Sequence, residues 1–349
     1  MPHRYPVREI ARQAGVSEAT VDRVLHERPG VREGTVLQVR QAIADLDRQR
    51  TQLRLSGRRF MVDLVMDTPK RFSALVRAAW EQELPNLRPA VFRVRHHLRE
   101  TWPVDELVDQ LDDIGRRGSS GVILKAPDTR EVADAIARLT ARRIPVVTLV
   151  TDVPMSTRIA YVGMDNRAAG ATAAHLVCQW LRHVDGQVLV ITSSERFRGE
   201  EEREMGFRST MRALDPRRGI VDIPESDGFD ATCRTLVGRA LADHPDLVAV
   251  YSIGGGNNGI VDAFTSANRC CEVFIGHDLG DANRSLLLSG HMTAVIHHDL
   301  RADVRHAAQS IMGFHGAIPA PHRPGTSEIA VVTPYNLPVD DLTRSPRVI

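Results

Sequence analysis

The sequence predicts an α/β protein, in which an all-α helix-turn-helix head precedes a two-lobed body built on parallel sheets. Three observations support this fold class. Three short helical patterns lie within residues 7–48, and β-branched runs alternate with helical stretches from residue 60 onward. Charge is also unevenly divided, because residues 1–59 hold twelve Arg and seven acids while the whole 349-residue chain has a net charge of +1. A basic head on an acidic body indicates a head that meets a polyanion.

The head is predicted from the spacing of its apolar residues and from the residues that interrupt them. Apolar side chains recur at helical intervals up to Gly15, which breaks the pattern. Ser17 is a favoured N-cap for a second helix, which Pro29 and Gly30 bring to an end. Short helices joined by a tight turn are typical of a helix-turn-helix. The predicted helices span residues 7–14, 18–26 and 35–48.

The body is predicted from about nine short β-branched runs separated by amphipathic stretches, a pattern typical of βαβ units. So many strands fit two α/β lobes better than one sheet, and a small ligand is expected between the lobes at the carboxyl ends of the strands. The predicted boundaries are a DNA-binding head at 1–48, a hinge or linker at 49–59, and a ligand-binding and dimerisation body at 60–349, with lobe 1 at 60–163 and 290–318 and lobe 2 at 164–289 and 319–340.

The second helix of the head presents a polar face that suits the major groove of DNA. Arg23 can bind a guanine through O6 and N7, while Ser17 and Thr20 suit phosphate oxygens. Glu18 is expected to favour a cytosine amino group. Asp22 either does the same or turns back to hold Arg23 or His26. The predicted DNA-binding residues on this helix and its cap are Ser17, Glu18, Ala19, Thr20, Asp22, Arg23 and His26.

The segment EIARQAGVSEATVDRVLHERPGVREGT resembles the DNA-binding head of the lactose-repressor (LacI/GalR) family. This resemblance implies that Glu18 and Ala19 choose the bases together with Arg23. The linker departs from the family pattern, because LDRQRTQLRLSG stands where the family has a hinge helix that wedges a Leu into the minor groove. Leu55 is the first candidate for that wedge, and Leu53 is the second.

The body resembles the effector domain of the same family and the sugar-binding periplasmic proteins. VGMDNRAAG, EEREMGFRSTM, VFIGHDL and TAVIHHDL carry the resemblance. It implies a two-lobed, periplasmic-binding-protein-like body with a polyol-type ligand, since planar Arg and carboxylate groups recognise paired hydroxyls. Arg203 as a surface side chain and Asp278 as a helix cap stay open as alternatives. The implied ligand-binding residues are Phe72, Arg203, Asp278 and His298, with Asp152 and either Asn257 or Asn258 standing in where the family pattern is not matched.

These observations predict a DNA-binding transcription regulator, and more specifically a repressor, controlled by a sugar or polyol. The expected partners are double-stranded DNA with a near-palindromic operator, the small effector, and a second copy in a homodimer, with no membrane. Four cysteines without CxxC spacing and an N-terminus without an apolar run indicate a cytoplasmic protein.

No catalytic residue, metal or cofactor is expected, so the chain is not predicted to be an enzyme. Two alternatives stay open. One is a solute-binding protein of a sugar uptake system. The other is an α/β enzyme that uses a nucleotide at the glycines of YSIGGGNNGIVDAF.

Overall fold

The computed structural model describes residues 3–319 and 326–338. The predicted segments 320–325 of lobe 2 and 339–349 of the body lie outside the described residues. The helices are α1 (Val7–Ala14), α2 (Glu18–Leu25), α3 (Glu33–Leu55), α4 (Lys70–Glu83), α5 (Val104–Arg117), α6 (Arg130–Ala141), α7 (Asn166–Trp180), α8 (Arg198–Leu214), α9 (Asp230–Asp243), α10 (Asn257–Ser266), α11 (Asp281–Leu288) and α12 (Leu300–Phe314). The strands are β1 (Arg59–Asp67), β2 (Val91–Arg99), β3 (Gly121–Lys125), β4 (Val146–Leu149), β5 (Ala160–Val162), β6 (Gln187–Ile191), β7 (Ile220–Ile223), β8 (Leu247–Ser252), β9 (Val273–His277), β10 (Ala294–His297) and β11 (Ala330–Val332).

The head is formed by α1, α2 and α3 around a small apolar core that includes Ile10, Val21 and Val39. Gly15 ends α1 at a φ of 66°, a conformation that glycine adopts without steric cost. Ser17 caps α2 by accepting a hydrogen bond from the Thr20 amide at 3.1 Å. The fold class predicted from the sequence is confirmed for this part of the chain.

The third helix is longer than predicted, because α3 continues from the head through most of the predicted linker to Leu55. The segment between Gly34 and Gly57 contains no Gly or Pro, and it is rich in Gln, Arg and Leu, which favour helix. Tertiary contact adds to this, since Leu55 is only 7% exposed within the core of the first lobe. The connection between head and body is therefore reduced to the short turn at residues 56–58.

The first lobe is built on a five-stranded sheet in the order β2-β1-β3-β4-β5, with all neighbouring strands parallel. One apolar cluster joins the sheet to α4 and α12, and a second joins it to α5 and α6. Helices therefore cover both faces, as parallel sheets require.

The second lobe is built on a six-stranded sheet in the order β11-β10-β9-β8-β6-β7, in which only the β10–β11 pair of the described strands is antiparallel. Helices α7 and α8 cover one face, and α9, α10 and α11 cover the other. One predicted boundary is corrected here. Residues 290–299 were assigned to lobe 1, but β10 pairs with β9 in the second sheet, with Ala294 opposite Ile275.

The chain passes between the lobes after β5 and again after β10, and it then enters α12, which packs against α4 of the first lobe. These passages hold the lobes side by side, with the carboxyl ends of both sets of strands facing a shared cleft. No helix in the described ranges is long and apolar enough to cross a membrane.

Candidate functional site

The exposed face of α2 is the candidate DNA-reading surface. Glu18, Ala19 and Arg23 are exposed, and Thr20 is half-buried. Among the described residues, no hydrogen bond or ion pair engages the Glu18 carboxylate or the Arg23 guanidinium. Both side chains are therefore available to base edges or phosphates.

Asp22 differs from Glu18 because its carboxylate is already occupied. One oxygen lies 3.1 Å from Nδ1 of His26, and the other accepts a hydrogen bond from Nη1 of Arg28 at 3.0 Å. Of the two predicted roles for Asp22, reading a base or turning back, the structure shows the second, with the carboxylate directed towards His26 and Arg28. Arg23, the other partner considered, does not contact it. The negative charge of Asp22 is thus placed against the Arg28 cation and the His26 ring, both just beyond the end of its own helix.

Leu55 does not fit the predicted role of a minor-groove wedge. Its side chain is buried against the first lobe, while Leu53 is 77% exposed. Helical geometry explains the difference, because residues two apart on a helix point to nearly opposite sides. Of the two candidate leucines, only Leu53 is presented to solvent.

The second candidate site is a cavity of about 670 Å³ between the two lobes. It is lined by residues that end or follow strands of both sheets, where open α/β sheets bind ligands. From the first lobe come Thr68, Lys125 and Val150, and from the second come Ser193, Ile253 and Asp278. A ligand in this cavity would touch both lobes at once.

Arg203 on α8 is the most deeply buried cation of the cavity, at 4% exposure. Its Nε donates to Oδ1 of Asn166 at 2.8 Å, which fixes the plane of the guanidinium. In the described part of the chain, neither Nη atom has a hydrogen-bond partner. The open alternative of a surface arginine is therefore excluded, since this side chain ends inside the cleft with donors to spare.

Lys125 reaches the cavity from the end of β3. Its Nζ donates to the Asp67 carbonyl at 3.0 Å and lies 4.0 Å from the centre of the Phe197 ring. Burial lowers the pKa of Lys125 to about 8, although the nearby Glu200 and Asp67 carboxylates favour its charged form. The same side chain is thus a cation at neutral pH that can lose its proton in mild alkali.

Arg71, at the start of α4, connects the lobes at the cleft. It donates from Nη1 to the Gly228 carbonyl and from Nη2 to the Gly254 carbonyl, both at 2.8 Å. Gly255 has a φ of 101°, a left-handed conformation that favours glycine, and a Cβ there would lie 2.0 Å from Nη2 of Arg71. A Cβ at Gly254 would lie 2.2 Å from the Ser193 nitrogen, within the second lobe. Backbone conformation and close packing therefore explain both glycines without a phosphate.

The acceptors of the cavity are in two different states. Glu200 is engaged, with its two oxygens accepting from the amide and the hydroxyl of Ser193 at 2.7 and 2.5 Å. Asp278 is at a φ of 65°, and its Oδ1 is buried without a hydrogen-bond partner in the described residues. This oxygen faces Nε2 of His298 at 3.8 Å. The Asp278 side chain as a whole is 24% exposed and lines the cavity, so its other carboxylate oxygen is suited to accept a hydrogen bond from a ligand hydroxyl.

Asn257, at the start of α10, lines the cavity as part of a buried amide network. Its Oδ1 accepts from the Ser252 hydroxyl at 2.6 Å, and its Nδ2 donates to Asn283 at 2.7 Å. Asn283 in turn donates to the carbonyls of His277 and Asp278. This network holds the strand end that carries Asp278 in place.

Four of the seven predicted ligand residues line the cavity, namely Phe72, Arg203, Asn257 and Asp278. The other three do not, and the prediction is corrected for them. The Asp152 carboxylate accepts hydrogen bonds from the Thr148 hydroxyl and the Val153 amide, and it forms a bidentate ion pair with Arg158. Asn258 donates to Asp230 at 3.3 Å outside the cavity.

His298 is the third predicted residue that does not line the cavity. It is 1% exposed and lies behind Asp278, with its Nε2 at 3.8 Å from Oδ1 of that residue. Its Nδ1 is 2.6 Å from Oδ2 of Asp303 on α12. His298 therefore connects the second passage between the lobes to the carboxylate that faces the ligand.

Sequence reasoning missed Arg71, Lys125 and Glu200. One signal could have identified Lys125, because Lys70 and Lys125 are the only lysines among the 45 Lys and Arg residues of the chain. A lysine at the end of a buried strand is unusual in so Arg-rich a sequence. It indicates a functional role, because burial readily lowers the pKa of lysine but not that of arginine. Arg71 and Glu200 carry no comparable local signal.

Comparison with known families separates the chain into the same two parts. Residues 7–49 match the family of bacterial regulatory proteins described as the lacI family. Residues 72–313 match the periplasmic binding protein domain. A curated relative, the ribose import binding protein RbsB of Haemophilus influenzae, is 26% identical over 200 residues, which are 56% of this chain and 65% of that protein. The match thus spans less than two thirds of the relative's length.

Solved structures show the same fold. GanP, a glucose-galactose binding protein from Geobacillus stearothermophilus, is 23% identical with a TM-score of 0.72, over 81% of this chain and 100% of that one. A putative LacI transcriptional regulator from Bacteroides fragilis is 14% identical with a TM-score of 0.71, over 80% and 98%. The family and fold are those of regulators and binding proteins. The chain therefore belongs to the periplasmic binding protein domain family, and its head matches the lacI family of bacterial regulatory proteins, a combination that fits a ligand-regulated DNA-binding regulator.

Proposed function

We propose that this chain is a transcriptional repressor that acts as a cytoplasmic homodimer on a near-palindromic operator. In this proposal a sugar- or polyol-like ligand between the lobes controls its affinity for DNA. One observation carries the proposal, which is that a lacI-type head and a cavity of about 670 Å³ with buried polar groups lie in one chain. The curated relative is named for ribose import, which supports a sugar-sized ligand. The four free cysteines agree with a reducing compartment.

The head would bind DNA through electrostatic attraction to the phosphate backbone and through contacts with the bases. Its excess of arginines attracts the phosphate backbone. Glu18 and Ala19 in the first turn of α2, the recognition helix, and Arg23 in its last turn then select the bases, because all three side chains are exposed. Two heads of a dimer would read half-sites about one helical turn apart.

The route from cleft to DNA would run through α12 and α3. Helix α12 begins just after the lobe passage that holds His298, and it packs against α4. At its far end, the His315 carbonyl accepts a hydrogen bond from Nη1 of Arg58 at 3.3 Å. Leu55, three residues before Arg58, is buried in the same lobe. A change in lobe closure would therefore move the end of α3 and reorient the head.

Mobility-shift and footprinting assays on genomic fragments test this function. We expect a footprint with two related half-sites, and a change in affinity when an effector binds the cleft. Coupling must be reciprocal, so the operator fragment should change effector affinity by the same factor. A protein that shows no sequence-selective DNA binding at any salt concentration would contradict the proposal.

Thermal-shift screening separates the two remaining alternatives. Stabilisation by sugars together with loss of operator binding supports the regulator. Stabilisation by sugars without any DNA binding would favour a solute-binding protein. Stabilisation by NAD or ATP would favour a nucleotide-using enzyme, although the close packing of Gly254 and Gly255 already accounts for that loop without a phosphate.

A further inference from the structure

The cleft holds two inward-facing cations that no carboxylate neutralises directly. Within the described ranges, no carboxylate oxygen lies within 4.0 Å of Nζ of Lys125 or of the Arg203 guanidinium. Arg71 at the cleft likewise donates only to the two carbonyls. A purely neutral ligand would leave Lys125 and Arg203 without an anionic group in direct contact.

The acids near Lys125 do not contact its ammonium group directly. Both oxygens of Glu200 accept hydrogen bonds from Ser193, and the nearest cation to Oδ2 of Asp67 is Nη2 of Arg196 at 3.8 Å. Burial raises the pKa of Asp67. Asp278 contributes negative charge to the cavity, but its free oxygen lies beside His298. None of these groups takes the place of a direct counter-ion.

The cations also influence one another and their surroundings. After burial, the Arg203 guanidinium is among the influences that lower the pKa of Lys125. Burial and the same guanidinium hold the pKa of His277 well below its usual range, so this lining side chain stays neutral. Two like charges held in one cavity are mutually repulsive, and an anion placed between them removes that cost.

We propose that the natural ligand is an acidic sugar derivative, a monosaccharide-sized polyol with one carboxylate or phosphate group that Lys125 and Arg203 bind. Asp278 accepts from its hydroxyls, and Phe72 packs against its carbon skeleton. Arg71 adds positive charge where the lobes meet. This inference rests on the proposed function and narrows the class of effector that it needs.

Calorimetric titration with matched probes tests the inference. D-Gluconate and D-glucuronate carry a carboxylate, D-glucose 6-phosphate carries a phosphate, and D-glucose is the neutral match. We expect at least one acidic probe to bind about tenfold or more tightly than D-glucose, the expected scale for one charge-assisted pair. The two acid types then distinguish a carboxylate from a phosphate ligand.

The two lysines provide a direct readout in the unmodified protein. Amine-reactive labelling followed by mass spectrometry measures Lys125 and Lys70 separately. The acidic probe should protect Lys125 and leave Lys70 unchanged, because Lys70 is 85% exposed and pairs with Glu100 outside the cavity. Lys125→Met should abolish the preference for the acidic probe, while the matched change Lys70→Met should preserve it.

The proposal is overturned if no acidic probe binds, if D-glucose binds equally well, or if Lys125 is not protected. None of these results depends on the DNA-binding assays, so each leaves the proposed function unaffected. A regulator that releases its operator with a neutral sugar would keep the proposed function and refute only the acidic ligand. Failure of DNA binding, with an intact preference for acidic sugars, would do the reverse.

Discussion

The recognition helix and the cleft show two ways in which one chain builds a site. In α2 the exposed residues lie within eight consecutive positions, and a single cap at Ser17 orients them. In the cleft the lining residues range from Thr68 to Arg284 and belong to two lobes. Local spacing therefore determines the first surface, whereas the second depends on how two sheets are placed against each other.

The two regions also handle charge differently. On α2, Asp22 is held by His26 and Arg28 at the exposed end of the helix, where solvent screens the pair. In the cleft, Arg203 and Lys125 are held without a carboxylate partner, where screening is weaker. On α2 the charge of Asp22 is paired with neighbouring side chains of the protein. In the cleft, the positive charges of Lys125 and Arg203 are left for a ligand to neutralise. Four predictions test this difference between the two regions.

The largest expected effect concerns the junction between the two regions. Leu55→Ala should lower the free energy of unfolding by about 2–5 kcal/mol, because it removes a buried side chain from the first lobe. Leu53→Ala should leave stability nearly unchanged, since Leu53 is exposed. Urea denaturation of both variants gives the comparison. Equal losses of stability would show that α3 is not anchored through Leu55.

The next effect isolates the cleft from the head. Arg203→Met should weaken ligand binding by about 100-fold, since a buried charged donor is lost, and should leave operator binding without ligand intact. Arg208→Met is the matched control, because Arg208 lies on the same helix but pairs outward with Glu204. Titration calorimetry and mobility shift measure the two functions separately. A parallel loss in both variants would mean that the effect is structural.

The third effect uses the titration of Lys125, whose pKa of about 8 reflects burial, opposed by Glu200 and Asp67. Arg203 lowers this pKa further, and Asp278 raises it. An acidic ligand favours the protonated lysine, so its affinity should be constant below pH 7. It should then fall by about tenfold between pH 7 and pH 9, as the free protein loses that proton. Lys125→Arg should flatten this profile, and a profile that is flat in the native protein would contradict the assignment.

The smallest effect belongs to the recognition helix. Asp22→Ser should tighten nonspecific DNA binding by a few-fold and steepen its salt dependence, since it removes a negative charge and frees the Arg28 cation for phosphates. Glu18→Gln should instead change the preferred base at one position, by about tenfold. Binding to randomised operators measures both outcomes. If Asp22→Ser changes neither affinity nor base preference, Asp22 does not act at the DNA.

The fold class, the head and the family could be predicted from the sequence, because these depend on short-range patterns. Gly15, Ser17 and the apolar spacing of residues 7–48 encode the helix-turn-helix locally. The alternation of strands and helices likewise encodes the parallel sheets. Arg203 and Asp278 could be predicted as ligand residues because each lies within a segment that resembles the family, EEREMGFRSTM and VFIGHDL respectively.

The side chains that meet in the cleft, and those that bind other residues instead, depend on tertiary packing and could not be predicted from the sequence. Asp152 looked equivalent to a ligand residue until its contacts with Arg158 were visible, and Leu55 looked like a wedge until the first lobe covered it. Lys125 and Arg203 are 78 residues apart in the numbering, and no local pattern connects them. Their shared cavity arises from the packing of two lobes, which places groups that are distant in sequence within reach of one ligand.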